Sequence, residues 1–249
     1  MASKADRPEL IIKGKRLDGR AFNELRPIKI EAGVLKNAAG SARLEWGDNR
    51  VLAAVFGPIE CQPKHTSDPA KAVIKCKYSM APFSSIGEHG RTGPNRRAIE
   101  ISKVTKEAFE NVVFLNEYPG SEIDIFIEVL QSDGGTRCAG ITAAAVAMAN
   151  AGIHMKDVMY AVSAGKVGNE MLLDFNMIED NYSDSDMPMA ISPKDNSVLL
   201  LQMDGNNSKE ELKKGMEMVL EAGKKISKIQ RDALLEVYRK AEANAEKGV

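Results

Sequence analysis

Apolar and polar residues alternate through Ile28 to Ala32 and through Ser41 to Trp46. After a Gly47-Asp48 turn they alternate again from Arg50 to Phe56. A period of two turns one face of each run toward a core, so these segments read as three antiparallel strands. Gly57-Pro58 is expected to end the third, Cys61 to Ala70 to form a polar loop, and Val73 to Tyr78 to form a further strand. Ser84 to Asn95 holds three glycines and a proline without apolar periodicity and reads as a mobile loop. Ile101, Val104, Ala108, Val112 and Leu115 then recur at helical spacing, predicting a helix over Asn95 to Asn116 with Asn95 as its N-cap.

Ile123 to Leu130 alternates as a strand, and Ser132 to Arg137 turns sharply into an alanine-rich helix, Cys138 to Ala151. In the second half, Val158 to Val167, Glu170 to Phe175, Pro188 to Ser192 and Val198 to Met203 read as strands, with an acidic loop between the second and third. Ser208 and Glu211 form an S-x-x-E capping box. The helix they open carries Leu212, Met216, Val219, Ile226, Ile229, Leu234 and Tyr238 on one stripe, with Gly223 a candidate bend. Unbroken to Ala245 it would be ~55 Å long at 1.5 Å per residue, and its surplus tail is open to two readings, subunit contact or solvated end.

Composition adds little and excludes more. The chain has 249 residues, enough for one large domain or two small ones, and its 34 basic and 35 acidic residues leave a formal charge of −1. Net charge therefore carries no nucleic-acid signal, and any such affinity must come from local asymmetry. One exists: Arg91, Arg96, Arg97, Lys103 and Lys106 face a single acid, Glu100, while Glu179, Asp180, Asp184 and Asp186 gather elsewhere. Three unevenly spaced cysteines give neither a disulfide framework nor a CxxC metal site and suit a reducing cytosol. No leader-like apolar region and no stretch of ~18 apolar residues is present, so a soluble cytoplasmic protein without membrane contact is expected.

Three constellations can carry chemistry. Gln131-Ser-Asp-Gly-Gly-Thr-Arg137 joins a strand to a helix, where glycines bring backbone amides close to a ligand and the helix start favours an anion. Thr136 adds a hydroxyl and Arg137 a forked guanidinium suited to phosphate. Read alone, the turn is equally a helix cap with a surface arginine. Asp180 and Asp186 form a carboxylate pair that suits Mg²⁺ or a general acid, or else a solvated acidic hairpin. Arg96 and Arg97 open a helix beside a flexible loop and could grip a phosphodiester backbone, or else simply line a solvated face. The histidines (His65, His89 and His154) are dispersed, and no nucleophilic triad is present. Together the three describe phosphoryl transfer, in which positioning and charge stabilisation do most of the work.

The same stretches resemble the RNase PH family, most closely the catalytic ring subunits of archaeal exosomes. The matching motifs are Arg16-Leu-Asp-Gly-Arg20, Leu44-Glu-Trp-Gly-Asp48, Met80-Ala-Pro-Phe-Ser84 and Asn95-Arg-Arg-Ala-Ile-Glu-Ile-Ser102. They continue with Leu130-Gln-Ser-Asp-Gly-Gly-Thr-Arg137, Leu172-Leu-Asp-Phe175 and Glu179-Asp-Asn-Tyr-Ser-Asp-Ser-Asp-Met-Pro188, covering nearly the whole chain. The resemblance implies an α/β (α+β) fold of two βαβ-containing halves, of the kind seen in ribosomal protein S5 domain 2, with mixed sheets and packed helices. The divisions expected are a loosely held arm over 1–18, a first subdomain over 19–155 and a second over 156–249 that ends in the long helix.

It further implies a 3′-to-5′ exoribonuclease in which inorganic phosphate, bound by Arg97, Gly135, Thr136 and Arg137, attacks the terminal phosphodiester and releases nucleoside diphosphates. In reverse the reaction adds RNA tails. Asp180 and Asp186 are the implied catalytic and metal-binding pair, for Mg²⁺ or Mn²⁺, with Asp180 donating the proton to the departing 3′ oxygen. Arg96 and Arg97, with Lys64 and His65 in a loop along the RNA path, are the implied contacts to a single-stranded RNA 3′ end. Implied partners are an inactive RNase PH-type paralogue, alternating in a hexameric ring (a trimer of heterodimers), and cap proteins with S1 or KH domains. A tRNA-trimming homohexamer, a non-catalytic RNA-binding ring subunit and a hydrolytic nuclease are the alternatives.

Overall fold

The computed structural model describes residues 8–12, 14–85 and 96–246. The chain opens with a short hairpin, β1 (Ile11–Ile12) and β2 (Lys15–Arg16), turning at Gly14. Five strands follow: β3 (Ile28–Ala32), β4 (Gly40–Trp46), β5 (Asn49–Glu60), β6 (Val73–Met80) and β7 (Ser121–Gln131). They form one sheet in the order β3-β4-β5-β7-β6. Helix α1 (Arg96–Glu110) crosses from β6 to β7, which pair in parallel, so β6-α1-β7 is a βαβ unit; the other ladders of this sheet are antiparallel.

The alternation read from the sequence places Ala42, Leu44, Trp46, Val51, Ala53, Val55, Ile123, Ile125, Ile127 and Val129 in the core. Against that face lies α2 (Thr136–Asn150), of whose 15 residues only three escape burial. The burial follows from position: α2 packs on β4 and β5 of the first sheet and on β8 of the second, which leaves no solvent face. Small side chains allow this, since a Cβ on Gly40 would stand 2.2 Å from the Ala147 carbonyl oxygen.

The second sheet contains β8 (Tyr160–Val167), β9 (Glu170–Leu173), β10 (Ser185–Ile191), β11 (Val198–Leu201) and the short β12 (Asp204–Gly205). Its order is β11-β10-β8-β9, with β12 added to β10. Every ladder in it is antiparallel among the described residues. The mixed α/β class stands; the βαβ crossover expected in both halves is corrected to the first half alone. A six-residue helix, α3 (Met177–Tyr182), precedes β10, and α4 (Lys209–Glu246) closes the chain across both sheets.

Other expectations shift for physical reasons. Gly57-Pro58 does not end the third strand; β5 continues to Glu60 through a register shift, with Gly57 at φ 128° pressed against the Glu122 carbonyl. The first helix ends near Glu110 and not at Asn116, because Val112 and Phe114 exchange backbone bonds with Lys156 and His154. The proposed N-cap Asn95 and most of the glycine-rich loop lie outside the described residues, as does Arg91. The arm is not loose over its described part, where Leu10 and Arg16 are buried. The Ser208–Glu211 capping box is present in both directions (2.7 and 3.2 Å). No helix of the described residues is long and apolar enough to cross a membrane.

Helix α4 runs without interruption through Gly223, which serves close approach and not bending. Its buried side is Gly215, Val219, Ala222, Gly223, Ile226, Gln230 and Ala233, rotated from the expected stripe; Tyr238 is 63% exposed. A Cβ on Gly223 would fall 1.9 Å from Cζ of the buried Tyr160 ring. Gly223→Ala should therefore destabilise the fold by roughly 1–3 kcal/mol despite the better helix propensity of alanine, read as a lowered urea midpoint. An unchanged midpoint would show that α4 does not rest on Tyr160.

Candidate active site

The turn from β7 into α2 carries two consecutive left-handed glycines, Gly134 (φ 67°) and Gly135 (φ 66°). Only glycine occupies such angles without penalty, and at Gly134 a Cβ would collide at 2.5 Å with the Asn176 backbone. The turn is clamped from below. Asn49 donates from Nδ2 to the Gly134 carbonyl (2.7 Å) and accepts from the Asp133 amide (2.6 Å). Arg26 donates to the carbonyls of Asp133 and Gly134, and its guanidinium pairs with the Asp133 carboxylate (3.2 Å). Beyond the turn Tyr78 donates its hydroxyl to Thr136 Oγ1 (2.9 Å), which leaves the threonine proton to be given to a ligand.

Arg26 is itself held by Asp174. The Asp174 carboxylate accepts the Arg26 backbone amide (2.7 Å), both Arg26 Nε and Nη2 (2.7 Å at the closest), and the Trp46 indole N–H (2.8 Å). Asp174 sits in the left-handed region at φ 57°, and its carbonyl receives Arg16 (2.9 Å) and Arg20 (3.0 Å). Arg16, which is 2% exposed, also donates Nε to Glu179 Oε1 (2.7 Å), Nη1 to the Leu173 carbonyl (2.6 Å) and Nη2 to Glu179 Oε2.

Glu179 belongs to a second capping box: Asn176 Oδ1 accepts the Glu179 amide (3.0 Å) and Glu179 Oε2 accepts the Asn176 amide (3.1 Å). The segment expected as an acidic loop is therefore partly helix α3, and the Asn176-x-x-Glu179 spacing was its legible signal. Asp133 ties this helix to the anion turn by accepting the Met177 amide (3.1 Å).

These elements surround a cleft of ≈ 930 Å³ whose lining includes Arg97, Gly135, Thr136, Arg137, Asp180 and Asp186. All the residues expected at the phosphate and acidic sites thus share one cleft, although they come from α1, the β7–α2 turn, α3 and β10. Arg137 is only 20% exposed on its side chain and is aimed by Gln202 Oε1, which accepts from its Nη1, and by Glu100 (3.6 Å). Gln202 in turn donates to Glu100 (2.7 Å). Gln202 carried no sequence signal, and Glu100 had stood out only as the lone acid in a basic stretch.

Three other expectations fall outside the cleft. Arg96 is exposed at the start of α1 and is not part of the lining. Lys64 and His65 form a 3-10 turn beyond the end of β5, with Lys64 paired to Glu60 (2.7 Å). β5 starts beside Gly134 at Asn49, so they lie past the far end of that 12-residue strand, away from the anion turn.

The carboxylates are electrostatically coupled. Burial raises the Asp180 pKa, against Arg97, Arg137, Arg26 and the Gly135 amide, all of which lower it. Burial, reinforced by the negative charge of Asp180, pushes Asp186 up to about 7, against opposition from Arg137, the Ser163 hydroxyl and the Met187 amide. Each carboxylate thus resists ionisation of the other, and Asp186, the more deeply buried, is lifted further. Asp186 Oδ1 is buried with no hydrogen-bond partner among the described residues, which leaves that oxygen suited to a cation. Among the described residues no cluster of three or more His, Cys, Asp or Glu could enclose a metal. Two carboxylates suit an ion such as Mg²⁺ that keeps much of its water.

Comparison with known proteins gives a consistent likeness. The model of the 3′ exoribonuclease family, RNase PH, matches residues 24–154 with its domain 1 and residues 157–222 with its domain 2. Exosome complex component Rrp41 of Thermoplasma acidophilum is 52% identical over 224 residues, covering 90% of each chain. Rrp41 of Thermococcus kodakarensis is 52% identical over 227 residues, covering 91% of each. Among solved structures, rice Rrp46 superposes with a TM-score of 0.77 at 28% identity, covering 88% of this chain and all of that one. A chain of the Archaeoglobus fulgidus exosome with RNA bound to the active site gives a TM-score of 0.75 at 25% identity, covering 86% and 92%.

The raised pKa of Asp186 has a sign that can be measured. Its folded value of about 7 lies above the 3.8 of an ordinary aspartate, so the unfolded chain gives up this proton first as pH rises. The stability it contributes is full below pH ~4 and is lost as pH climbs through ~7. Asp186→Asn, which cannot ionise, should gain on the wild type by on the order of 2–4 kcal/mol between acid and mildly alkaline pH, in urea titrations with chelator present. A difference that does not vary with pH would mean that Asp186 titrates as an ordinary carboxylate.

Proposed function

This chain belongs to the RNase PH family of 3′ exoribonucleases, and from that premise we propose that it is the phosphorolytic subunit of an archaeal exosome ring. The observation that carries the mechanism is the convergence of Arg97, Gly135, Thr136 and Arg137 with Asp180 and Asp186 on one cleft. Arg137, Arg97, the Thr136 hydroxyl and the turn amides bind inorganic phosphate on one wall. A phosphate oxygen attacks the phosphorus of the terminal phosphodiester, a new P–O bond forms, and the bond to the 3′ oxygen of the preceding nucleotide breaks. A nucleoside diphosphate leaves, and the shortened RNA keeps a free 3′ hydroxyl.

Asp180 delivers the proton to that oxygen. In the empty cleft Arg97 and Arg137 oppose its protonation; bound phosphate offsets their charge, and burial then holds the proton in place. Mg²⁺ or Mn²⁺, held by Asp186, would supply positive charge for the negative oxygens that accumulate there. Arg96, with Lys64 and His65 farther along, lies where a strand threading toward the cleft would meet positive charge. A ring with an inactive RNase PH-type paralogue, under caps with S1 or KH domains, completes the RNA path. Such a ring lets a chain of formal charge −1 act on RNA, because only the residues along the channel need be basic. A reducing cytoplasm suits the three free cysteines.

The assembled ring should shorten single-stranded RNA from its 3′ end only when phosphate is supplied, with nucleoside diphosphates as product; nucleoside monophosphates would indicate hydrolysis and sink this reading. Asp180→Ala should cut turnover by about 10²–10⁴-fold with RNA binding kept, followed in single-turnover and filter-binding assays. Arg137→Ala should raise the phosphate KM by roughly 10–100-fold, as expected for loss of a charge-assisted fork.

A further inference from the structure

We propose that the N-terminal segment is a positioning element of the active site, with the Arg16 guanidinium acting through Glu179 to fix the helix that carries Asp180. The proposal rests on the reading of Asp180 as the proton donor. Helix α3 has six residues, far too few to hold its own shape in water. Its first backbone bond is the Asp180 amide to the Asn176 carbonyl (2.8 Å), so the direction of Asp180 follows the geometry of that single turn.

The turn is fixed from both ends by Leu10, Arg16 and Arg20. At its start, Glu179 closes the capping box on Asn176 and is gripped from below by both ends of the Arg16 fork. Arg16 also ties the Leu173 and Asp174 carbonyls just before the turn. Arg20 stands 3.5 Å from Glu179 Oε2 and lends a second positive charge. At its far end, Tyr182 packs on a small cluster in which Leu10 joins Phe175, Leu172 and Val167. Glu179 is fully buried while its neighbour Asp180 lines the cleft, so one side chain anchors the helix and the next does the chemistry.

Arg16 does not line the cleft, and the phosphate-binding residues sit on other elements. Disturbing the Arg16–Glu179 pair should therefore displace Asp180 and leave phosphate and RNA binding alone. The experiment uses the full chain assembled with its ring partners, compared at saturating RNA over a range of phosphate. Arg16→Met, which keeps most of the side-chain volume, should lower kcat by about 100-fold, with phosphate KM and RNA Kd within about two-fold of wild type. Arg16→Lys restores the charge without the fork and should recover part of that loss.

Glu179→Gln keeps the shape of the side chain and should also lower kcat with KM unmoved; it decides the matter if Arg16→Met does not fold or assemble. Values of kcat within about two-fold of wild type in the variants that assemble would overturn the proposal, as would KM and kcat deteriorating together. A wild-type ring that needs no phosphate would instead overturn the phosphorolytic reading, and it would do so before any substitution is made.

Discussion

The Asp174 carboxylate is the point on which the rest of the structure depends. It lies buried where the two sheets meet and takes hydrogen bonds from the Arg26 backbone, the Arg26 guanidinium and the Trp46 indole. A buried charge is tolerable only when it is paired and its lone pairs are used. Around it Arg16, Arg20 and Arg26 meet Asp133, Asp174 and Glu179, with the exposed Asp18 pairing Arg20 from the solvent side, so every buried charge in the cluster has an opposite partner. Removing one member of such a cluster typically costs ~3–5 kcal/mol, because a charge is then stranded. That penalty keeps the cluster in one arrangement and gives it the stiffness that a site built from separate elements requires.

The site is assembled from the outputs of that cluster. Arg26 carries its constraint to the carbonyls of the anion turn, and Asp133 spans from that turn to the first amides of α3. Glu179 fixes α3 from the other side. The anion turn and the helix that carries Asp180 are thus hung from one frame of buried ion pairs, while Arg97 and Asp186 reach the cleft from α1 and β10. A tolerance of well under 1 Å matters here, since in-line displacement requires the nucleophile, phosphorus and leaving oxygen to align.

Much of the fold was legible because its signals are local. Strands β3 and β4 appear where alternation places them, and the Ser208 capping box and the small-residue helix α2 follow from short-range rules. The errors were local rules overridden by tertiary contact: β5 passes through Gly57-Pro58, and α1 stops early to pair with residues 154–156. At the site, the residues that converge on the cleft could be named, since the chemistry of Gly-Thr-Arg and of paired aspartates is written in their types. The frame could not. Arg16 meets Glu179 across 163 positions and Arg26 meets Asp174 across 148, and no periodicity reports a contact at such range. The Arg16–Arg20 and Leu172–Phe175 motifs were visible as matches without a role, and only the fold showed them to be two sides of one joint.

The electrostatics of the cleft also couple its two walls. Alone, the acidic wall is unstable at neutral pH, since burial and mutual repulsion already lift Asp186 to about 7. Alone, the basic wall is held by Gln202, which aims Arg137, and by Glu100, which offsets part of its charge. An anion entering between them satisfies the arginines and at the same time raises the affinity of both carboxyls for a proton or a cation. Co-substrate binding and acid readiness are therefore one coupled event, and the coupling holds only while the buried frame keeps the walls at fixed separation. A looser joint would let Arg137 collapse onto Asp180 as a simple ion pair. The site would then be more stable and unable to bind phosphate, so the buried charges beneath it serve to keep the charges above them apart.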